Sequence, residues 1–367
     1  MIYTSHGIHL KAKYKDINSI EQINLNFKAI MGNSSIEQIF ELQKNNHLNF
    51  SKSTPQERIK RLKALQKYLL AHIEDAVEST KADFGKPEAE TIIGELLVLQ
   101  SELSHAIKHI KLWTSPFKQS TSLTAIGTRS YIQYEAKGCA LIIAPWNYPI
   151  SLAFKPLISA LSAGCVAIIK PSEMTPRSSA FIKKTVEAVF DRSEVAVVEG
   201  GIEASEALLK LPFHHIFFTG SPKVGKIVMK AAADNLASVT LELGGKSPCI
   251  VDKTCDVQSA AKMIAWAKFF NNGQTCIAPD YLLVEESIHD EFLQSLKSAV
   301  ETMYDINRLG AIKSESYGRI VNDKNFDRLV GYVEDATAQE AKVYFGGDYV
   351  AAERFLSPTI LTEVHDG

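Results

Sequence analysis

Between residues 139 and 243 the chain alternates short apolar segments with longer amphipathic ones, and this rhythm constrains the fold more than any other feature. Five segments have the composition of buried strands: CALIIAPW, CVAIIKPS, EVAVVEGG, HIFFTG and SVTLELGG. The segments between them have helical spacing: SLAFKPLISALSAG, RSSAFIKKTVEAVF, ASEALLKL and KVGKIVMKAAAD. Strands that alternate with helices in this way predict an α/β fold with a doubly wound parallel sheet. Ligands of such sheets bind outside the carboxyl ends of the strands.

The flanking regions also contain recognisable elements. Thr54, Pro55 and Glu57 form a capping-box pattern that predicts a helix start, and the helical spacing continues to a stop near Gly85. A second helical segment runs from about residue 90 to 113, and residues 121–137 predict two short strands around Gly127. After Gly244 a second α/β unit follows, with the helix AAKMIAWAKFF, the strand YLLVEE, the helix HDEFLQSLKSAVETMY and terminal strands from KVYFGG onward.

Composition excludes several classes of function. The 367 residues have a formal net charge of -2, which gives no overall attraction to nucleic acid or anionic lipid. The five cysteines are odd in number and lack CxxC or Cys/His metal spacing, so we expect no disulfide framework, no metal site and a cytoplasmic location. The opening MIYTSHGIHLKAKYKD lacks the apolar region of a signal peptide, and the apolar stretches are too short to predict a membrane span.

One cysteine stands in an unusual setting. Cys276 follows the apolar run MIAWAKFF and lies within the polar stretch NNGQTCIAPD. Small polar neighbours give a thiolate access to substrate, which suits a nucleophile, whereas a buried structural thiol is the alternative and fits Cys165 better. No histidine lies nearby in sequence, and His214 and His215 fall in a predicted strand, which argues against a Cys–His protease arrangement.

Four of the predicted strands end in residues that could bind or react, each with an ordinary structural alternative. Gly220 and Gly225 in FTGSPKVG allow close approach to an anion at a helix start, or form a plain turn. Lys170 and Glu173 in IIKPSE could bond a ribose, or could be solvated loop residues. The remaining two strand ends contain a candidate amide and a candidate carboxylate.

Asn147 in APWNYP lies between two prolines that restrict the backbone, so its amide could point at an oxyanion or could satisfy a proline-rich turn. Glu242 in LELGGK has the apolar neighbours Val239, Leu241 and Leu243, which predicts a buried carboxylate. Burial without a partner costs free energy and raises the carboxyl pKa, and a raised pKa suits a general base. The alternative is a surface-facing strand position.

In this order, APWNYP, KPSE, FTGSPKVG, LELGGK and NNGQTCIAPD resemble the aldehyde dehydrogenase superfamily, and GQTCIAPDY is most similar to its class 3 and coniferyl aldehyde dehydrogenase branches. The resemblance runs from about Phe50 to Gly367. It implies five regions: 1–32 unassigned, 33–120 the helical part of the cofactor domain, 121–137 an oligomerisation hairpin, 138–243 a Rossmann-type NAD-binding core, and 244–367 an incomplete catalytic domain.

The resemblance also implies roles for individual residues. It makes Cys276 the nucleophile, Glu242 the general base and Asn147 an oxyanion donor together with the backbone N–H of Cys276. Lys170 and Glu173 would hold the adenosine ribose. The other implied cofactor residues are Pro145, Trp146, Gly220, Ser221, Val224, Gly225, Leu243 and Gly244.

The implied reaction is NAD(P)-dependent oxidation of an aldehyde to a carboxylic acid through a thiohemiacetal and a thioester, by a cytoplasmic homodimer. Glu173 near the ribose favours NAD over NADP by charge. The sequence ends at Gly367, after LSPTILTEV, where family members continue with an E-I-F-G-P motif. A cofactor-binding remnant with poor turnover and a cofactor-independent ester hydrolase are therefore the alternatives.

Overall fold

The computed structural model describes residues 35–305 and 307–364. Region 1–32 lies outside the described residues. The first described part is helical: α1 Ile36–Ser51, α2 Pro55–Ala71, α3 Ile73–Phe84, α4 Glu88–Thr91, a π-helical turn Ile92–Leu97 and α5 Val98–Trp113. Thr54 and Glu57 form the predicted capping box, since each side chain bonds the other residue's backbone N–H. Gly85, in the left-handed conformation at φ 64°, ends α3.

A two-stranded antiparallel ribbon follows the helices. It pairs β1 Phe117–Gln119 with β2 Ser130–Ile132. The prediction of two strands within 121–137 is therefore wrong for the first strand, which lies before Thr121. Residues 121–129 instead form turns, in which Ala125 N donates to Ser122 O and Thr128 N donates to Ala125 O. These bonds use backbone groups that a strand would offer to a neighbour.

The parallel sheet is the predicted doubly wound sheet. It comprises β3 Cys139–Ile143, β4 Val166–Lys170, β5 Val195–Val197, β6 His215–Gly220 and β7 Ser238–Leu243 in the order β5-β4-β3-β6-β7. The connecting helices are α6 Ser151–Ala163, α7 Pro176–Val189, α8 Ile202–Leu209 and α9 Pro222–Asp234. Every residue of β3 and β4 is buried, so these strands form the centre of the core. Strand order reverses between β3 and β6, which places a ligand crevice at their carboxyl ends.

The second α/β unit contains more structure than the sequence indicated. Its elements are β8 Ser247–Val251, α10 Val257–Phe269, β9 Pro279–Val284, α11 His289–Tyr304, α12 Asp323–Ala338, β10 Lys342–Phe345, β11 Tyr349–Val350, β12 Phe355–Leu356 and β13 Ile360–Thr362. Strands β8 and β9 are parallel, and the four terminal strands form two antiparallel pairs. The sequence analysis missed β8 and α12. Helix α12 buries Phe326 and Val330, which share one helical face with Leu329 and Val333, so its apolar spacing was a signal that the sequence analysis did not use.

Within the part of the chain that the structure describes, no helix has the length and apolar character needed to cross a membrane.

Candidate active site at the carboxyl edge of the sheet

The parallel register gathers the predicted strand-end residues at one edge. Ile143, the last residue of β3, pairs with Lys170 on one side and with Phe218 on the other, and Gly220 pairs with Leu243. The segments that follow these strands therefore emerge side by side. They contain the predicted site residues Pro145, Trp146, Asn147, Glu173, Ser221, Val224, Gly225 and Gly244.

The loop that carries Cys276 has an unusual backbone. Asn271, Asn272 and Gly273 are consecutive left-handed residues, with φ of 55°, 57° and 72°. Asparagine and glycine adopt this conformation at the lowest cost, which accounts for the sequence Asn-Asn-Gly at the end of α10. The left-handed turn carries the chain out of the core, and Cys276 is an exposed free thiol. The predicted accessibility of Cys276 is thus confirmed.

Hydrogen bonds anchor this loop on two sides. The Gln274 side chain donates from Nε2 to Arg319 O at 3.0 Å and accepts at Oε1 from Val321 N at 3.0 Å. On the other side, Asn271 N donates to Glu90 Oε2 at 2.8 Å. The segment before Cys276 is therefore bonded both to the helical region and to the second α/β unit.

Asn147 reaches the cysteine loop directly. Its side-chain Nδ2 donates to Gln274 O at 2.9 Å, and its own carbonyl accepts from Asn271 Nδ2 at 2.8 Å. A primary amide has two N–H groups, so the bond to Gln274 fixes the amide plane and leaves one N–H available for another acceptor. Beside it, the Tyr148 hydroxyl lies 2.7 Å from Thr275 Oγ1.

Glu242 lies in β7 as predicted, but it is exposed, and Val239 and Leu241 are only partly buried. Of the two alternatives, the buried carboxylate is therefore wrong and the surface-facing strand position is the one observed. The end of β7 nevertheless leads to the cysteine loop. A Cβ added to Gly245 would lie 3.1 Å from Cys276 O, so the segment directly after β7 passes against the cysteine loop. Glu242 is three residues from this contact.

The helix start after β6 is the one best suited to an anion among the four sheet helices. A carboxylate already occupies two of the others: Glu95 Oε2 accepts from the first N–H groups of α6, and Asp83 accepts from those of α7. Helix α8 has the acidic Glu203 in its first turn. At α9 only the Ser221 hydroxyl caps the helix, through a 3.4 Å bond from Val224 N, and the first turn has no acidic residue.

Close packing also supports a ligand against this turn. A Cβ added to Gly225 would lie 3.0 Å from Leu243 Cδ2, so glycine lets α9 approach β7. Thr219 Oγ1, one residue before the end of β6, is buried and has no hydrogen-bond partner. The unpaired hydroxyl of Thr219 and the close packing at Gly225 lie near the same strand end, and both are compatible with a dinucleotide site there.

Lys170 and Glu173 form an ion pair at the end of β4. Lys170 Nζ lies 2.7 Å from Glu173 Oε2, and the lysine is buried whereas the carboxylate is exposed. Partial burial opposes ionisation of Glu173, but the hydrogen bond and charge of Lys170, with a backbone hydrogen bond, outweigh it and lower the Glu173 pKa. A negatively charged acceptor is therefore held at the position predicted for a ribose.

The sequence analysis missed three buried charged residues behind the site: Lys86, Glu90 and Glu95. Lys86 Nζ lies 2.8 Å from Glu95 Oε1, and both side chains are fully buried. Burial raises the Glu90 pKa to about 7, although the Asn271 N–H and Lys86 act in the opposite direction. A lone carboxylate inside the apolar run IIGELL was the available signal for Glu95.

Cys139 and His214 have structural rather than chemical settings. Burial raises the pKa of Cys139 to about 12, which makes it a poor nucleophile, and all five cysteines are free thiols. His214, an exposed residue directly before β6, accepts a hydrogen bond at Nδ1 from Cys139 N at 2.9 Å and so helps to hold the start of β3. Among the described residues no group of three or more His, Cys, Asp or Glu could hold a metal ion.

Comparison with known proteins identifies the family. The model of the aldehyde dehydrogenase family matches residues 11–367. The chain belongs to the aldehyde dehydrogenase family. The match includes residues 11–32, which the sequence analysis left outside the resemblance. With the parallel sheet and the second α/β unit, it establishes the aldehyde dehydrogenase fold, with a Rossmann-type core, that the motifs predicted.

Individual relatives support this membership. The chain is 43% identical over 307 residues to the 4,4'-diaponeurosporen-aldehyde dehydrogenase of Staphylococcus aureus (84% of this chain, 66% of that protein). It is 39% identical over 317 residues to a dimeric NADP-preferring aldehyde dehydrogenase of Canis lupus familiaris (86% and 68%). A solved structure described as a substrate-bound state of Staphylococcus aureus AldH aligns with TM-score 0.86 and 40% identity (91% and 71%). The chain thus spans about two thirds of the length of these curated relatives.

Proposed function

We propose that this aldehyde dehydrogenase chain oxidises an aldehyde to a carboxylic acid at Cys276, with NAD as the oxidant. The observation that carries the proposal is the bond between Asn147 Nδ2 and Gln274 O, two residues before the exposed thiol. It holds an oriented amide donor beside an accessible nucleophile, which is the pairing that acyl chemistry at a carbonyl carbon requires.

The proposed reaction proceeds in two halves. The Cys276 thiolate forms a bond to the aldehyde carbon, and the free N–H of Asn147 and the backbone N–H of Cys276 stabilise the resulting oxyanion. Collapse of the oxyanion releases the aldehyde hydrogen as hydride, for which bound NAD would be the acceptor, and leaves a thioester on Cys276. Glu242 then accepts a proton from water, the water oxygen bonds to the acyl carbon, and the C–S bond breaks to release the acid and restore the thiolate.

The chain's residues fit NAD at the carboxyl edge. The α9 start, with Ser221 and Gly225, would hold the pyrophosphate, and Lys170 and Glu173 would bond the adenosine ribose. The further proposed cofactor residues are Pro145, Trp146, Gly220, Val224, Leu243 and Gly244. When bound, the nicotinamide supplies a hydride acceptor. The charge on Glu173 disfavours the additional phosphate of NADP, although the similar canine enzyme is named NADP-preferring.

The surroundings of the thiol favour an apolar aldehyde. Ile277 and Trp266 are exposed beside the cysteine loop, and the Trp266 ring lies 5.2 Å from that of Phe270. Phe270 and Tyr148 in turn pack against Gly94, where an added Cβ would lie 3.0 Å and 3.1 Å from them. The similar Staphylococcus aureus enzyme is named for a diaponeurosporen aldehyde, which agrees with an apolar substrate.

The exposed ribbon of β1 and β2 is proposed as a dimer contact. Its apolar side chains Phe117, Leu123, Ile126, Tyr131 and Tyr134 are all exposed. Exposed apolar groups on an antiparallel ribbon suit contact with a second copy of the chain. Sedimentation of the purified chain, compared with a variant that carries Ser at Phe117 and Ile126, tests this contact.

Three measurements separate the proposed reaction from its alternatives. NADH production on addition of an apolar aldehyde supports the dehydrogenase. Hydrolysis of p-nitrophenyl acetate in the absence of NAD, without NADH production from any aldehyde, would instead identify a cofactor-independent esterase. NAD binding, measured by quenching of tryptophan fluorescence, without turnover of either substrate would identify a cofactor-binding chain and contradict the proposal.

A further inference from the structure

A buried ion pair holds the segment that carries Asn147. Lys86 and Glu95 have no exposed side-chain surface, and Lys86 Nζ lies 2.8 Å from Glu95 Oε1. Removing two charges from water is costly, and replacing such a pair with apolar residues of similar volume often leaves stability unchanged or raises it. Stability alone therefore does not account for this pair.

Both side chains of the ion pair also contact residues 147–151. Glu95 Oε2 accepts from Ile150 N at 2.8 Å and from Ser151 N at 3.0 Å, where α6 begins. Lys86 Nζ donates to Asn147 O at 3.5 Å and lies 4.1 Å from the centre of the Tyr148 ring. The pair thus contacts the segment at both of its ends, between β3 and α6.

The local sequence around Glu95 makes these contacts possible. Glu95 lies in the π-helical turn Ile92–Leu97, an irregularity that is often found at functional sites. Its neighbour Gly94 has no side chain where a Cβ would meet Phe270 and Tyr148. The turn can therefore approach both the Asn147 segment and the start of the cysteine loop.

We infer that Lys86 and Glu95 are positioning residues that direct the Asn147 amide towards the carbonyl oxygen of the reacting aldehyde. This inference rests on the proposed function of Asn147. Neither residue contacts the thiol loop itself in the bonds described above; they act through the backbone of residues 147–151. A displacement of about 1 Å in such a donor costs on the order of 10²-fold in rate.

The test uses a charge-neutral double variant, Lys86→Met with Glu95→Gln, because either single change leaves a buried charge without its partner. Gln at position 95 keeps the shape but is a weaker, neutral acceptor for Ile150 N and Ser151 N, and Met fills the lysine volume without a donor for Asn147 O. The matched control is Arg61→Met with Glu194→Gln, which removes a 2.6 Å ion pair between α2 and the residue before β5. All variants are made in the full chain, with and without Asn147→Ala.

We expect the double variant to slow acylation of Cys276 by roughly 10- to 100-fold, measured as the NADH burst and as NAD-independent hydrolysis of p-nitrophenyl acetate. The NAD dissociation constant and the rate of Cys276 alkylation by iodoacetamide should not change. In the Asn147→Ala background the double variant should cause no additional loss, because its effect passes through Asn147. The control pair should leave acylation at the parental rate.

A multiplicative loss in the Asn147→Ala background would overturn the inference, since the pair would then act independently of the amide. If Asn147→Ala itself leaves acylation unchanged, the proposed oxyanion role fails instead. Hydrogen exchange followed by mass spectrometry tests whether the ion pair holds residues 147–151 in place, and it does not require turnover. Exchange of the peptide 147–152 should accelerate in the double variant and not in the control, and unchanged exchange would contradict the inference.

Discussion

Asn147 Nδ2 donates a hydrogen bond to the carbonyl oxygen of Gln274, two residues before Cys276, at 2.9 Å. The bond joins the end of strand β3 to the cysteine loop across 127 residues of sequence. It fixes the amide plane relative to the loop that carries the thiol. The two residues proposed to react with and to stabilise the substrate carbonyl are therefore held together before any substrate arrives, which is the preorganisation that catalysis at an acyl centre needs.

Replacement of Asn147 with Ala should therefore affect the first half of the reaction. The hydride-forming step should slow by roughly 10²–10³-fold, as for other oxyanion donors. Glu242→Gln is the comparison, because it should preserve a burst of NADH and lower only the steady rate, when water must attack the thioester. Rapid-mixing measurement of NADH separates the two phases. Loss of the burst in Glu242→Gln would contradict a role for Glu242 confined to deacylation.

Cys276→Ala should abolish both aldehyde oxidation and ester hydrolysis, because it removes the proposed nucleophile. Cys165→Ala is the matched control: Cys165 is buried at the start of β4, so its loss should lower the free energy of unfolding by about 1 kcal/mol and leave turnover unchanged. Steady-state assays and urea denaturation measure both quantities. Turnover that persists in Cys276→Ala would exclude it as the nucleophile.

Local sequence was sufficient to predict the sheet because its central strands, β3 and β4, are nearly continuous apolar runs between helical segments. CALII and VAIIK are buried at every position. A run of this kind between helical segments is typical of a parallel strand that is buried on both faces of its sheet. Helix α12 could also have been predicted. Its apolar residues Phe326, Leu329, Val330 and Val333 have the spacing of one helical face, so the signal was present in the sequence.

Local sequence could likewise identify some residues of the candidate site and not others. Cys276 could be found because a thiol among small polar residues is locally unusual. For Glu242 the sequence left two interpretations, a buried carboxylate because its neighbours are apolar and a surface-facing position because strand residues alternate. The choice depends on what covers the strand, which sequence spacing does not report. Lys86 and Glu95 are nine residues apart and meet only through the π-helical turn, so their pairing required the folded backbone.

Gly225 provides a test of the proposed cofactor turn. Gly225→Ala would put a Cβ 3.0 Å from Leu243 Cδ2, so the Leu243 side chain must shift within the proposed cofactor site, or α9 must move away from β7. We expect NAD binding to weaken several-fold. Gly331→Ala is the control, because Gly331 lies in α12 with no atom within 4 Å of an added Cβ, and it should stabilise the chain by up to about 1 kcal/mol. Fluorescence titration with NAD and thermal unfolding measure the two effects, and equal affinity in both variants would contradict the assignment.

Glu90 should make the stability of the chain depend on pH. Burial raises its pKa from 4.5 to about 7, against the opposing effects of the Asn271 N–H and Lys86. Between these two values the folded state binds a proton that the unfolded state has lost, so the free energy of unfolding should fall as pH rises from about 4.5 to about 7. The difference between the two pKa values corresponds to about 3 kcal/mol.

Glu90→Gln should remove this dependence, because an amide keeps an oxygen for the Asn271 N–H and does not ionise. The variant and the parent should have similar stability near pH 4.5, where Glu90 is protonated in the folded state. At pH 8 the variant should be more stable by up to about 3 kcal/mol, since the parent then holds a buried carboxylate. Urea denaturation at both pH values measures the difference. A parent that is as stable as the variant at pH 8 would show that Lys86 and the Asn271 N–H already offset the burial of the charge.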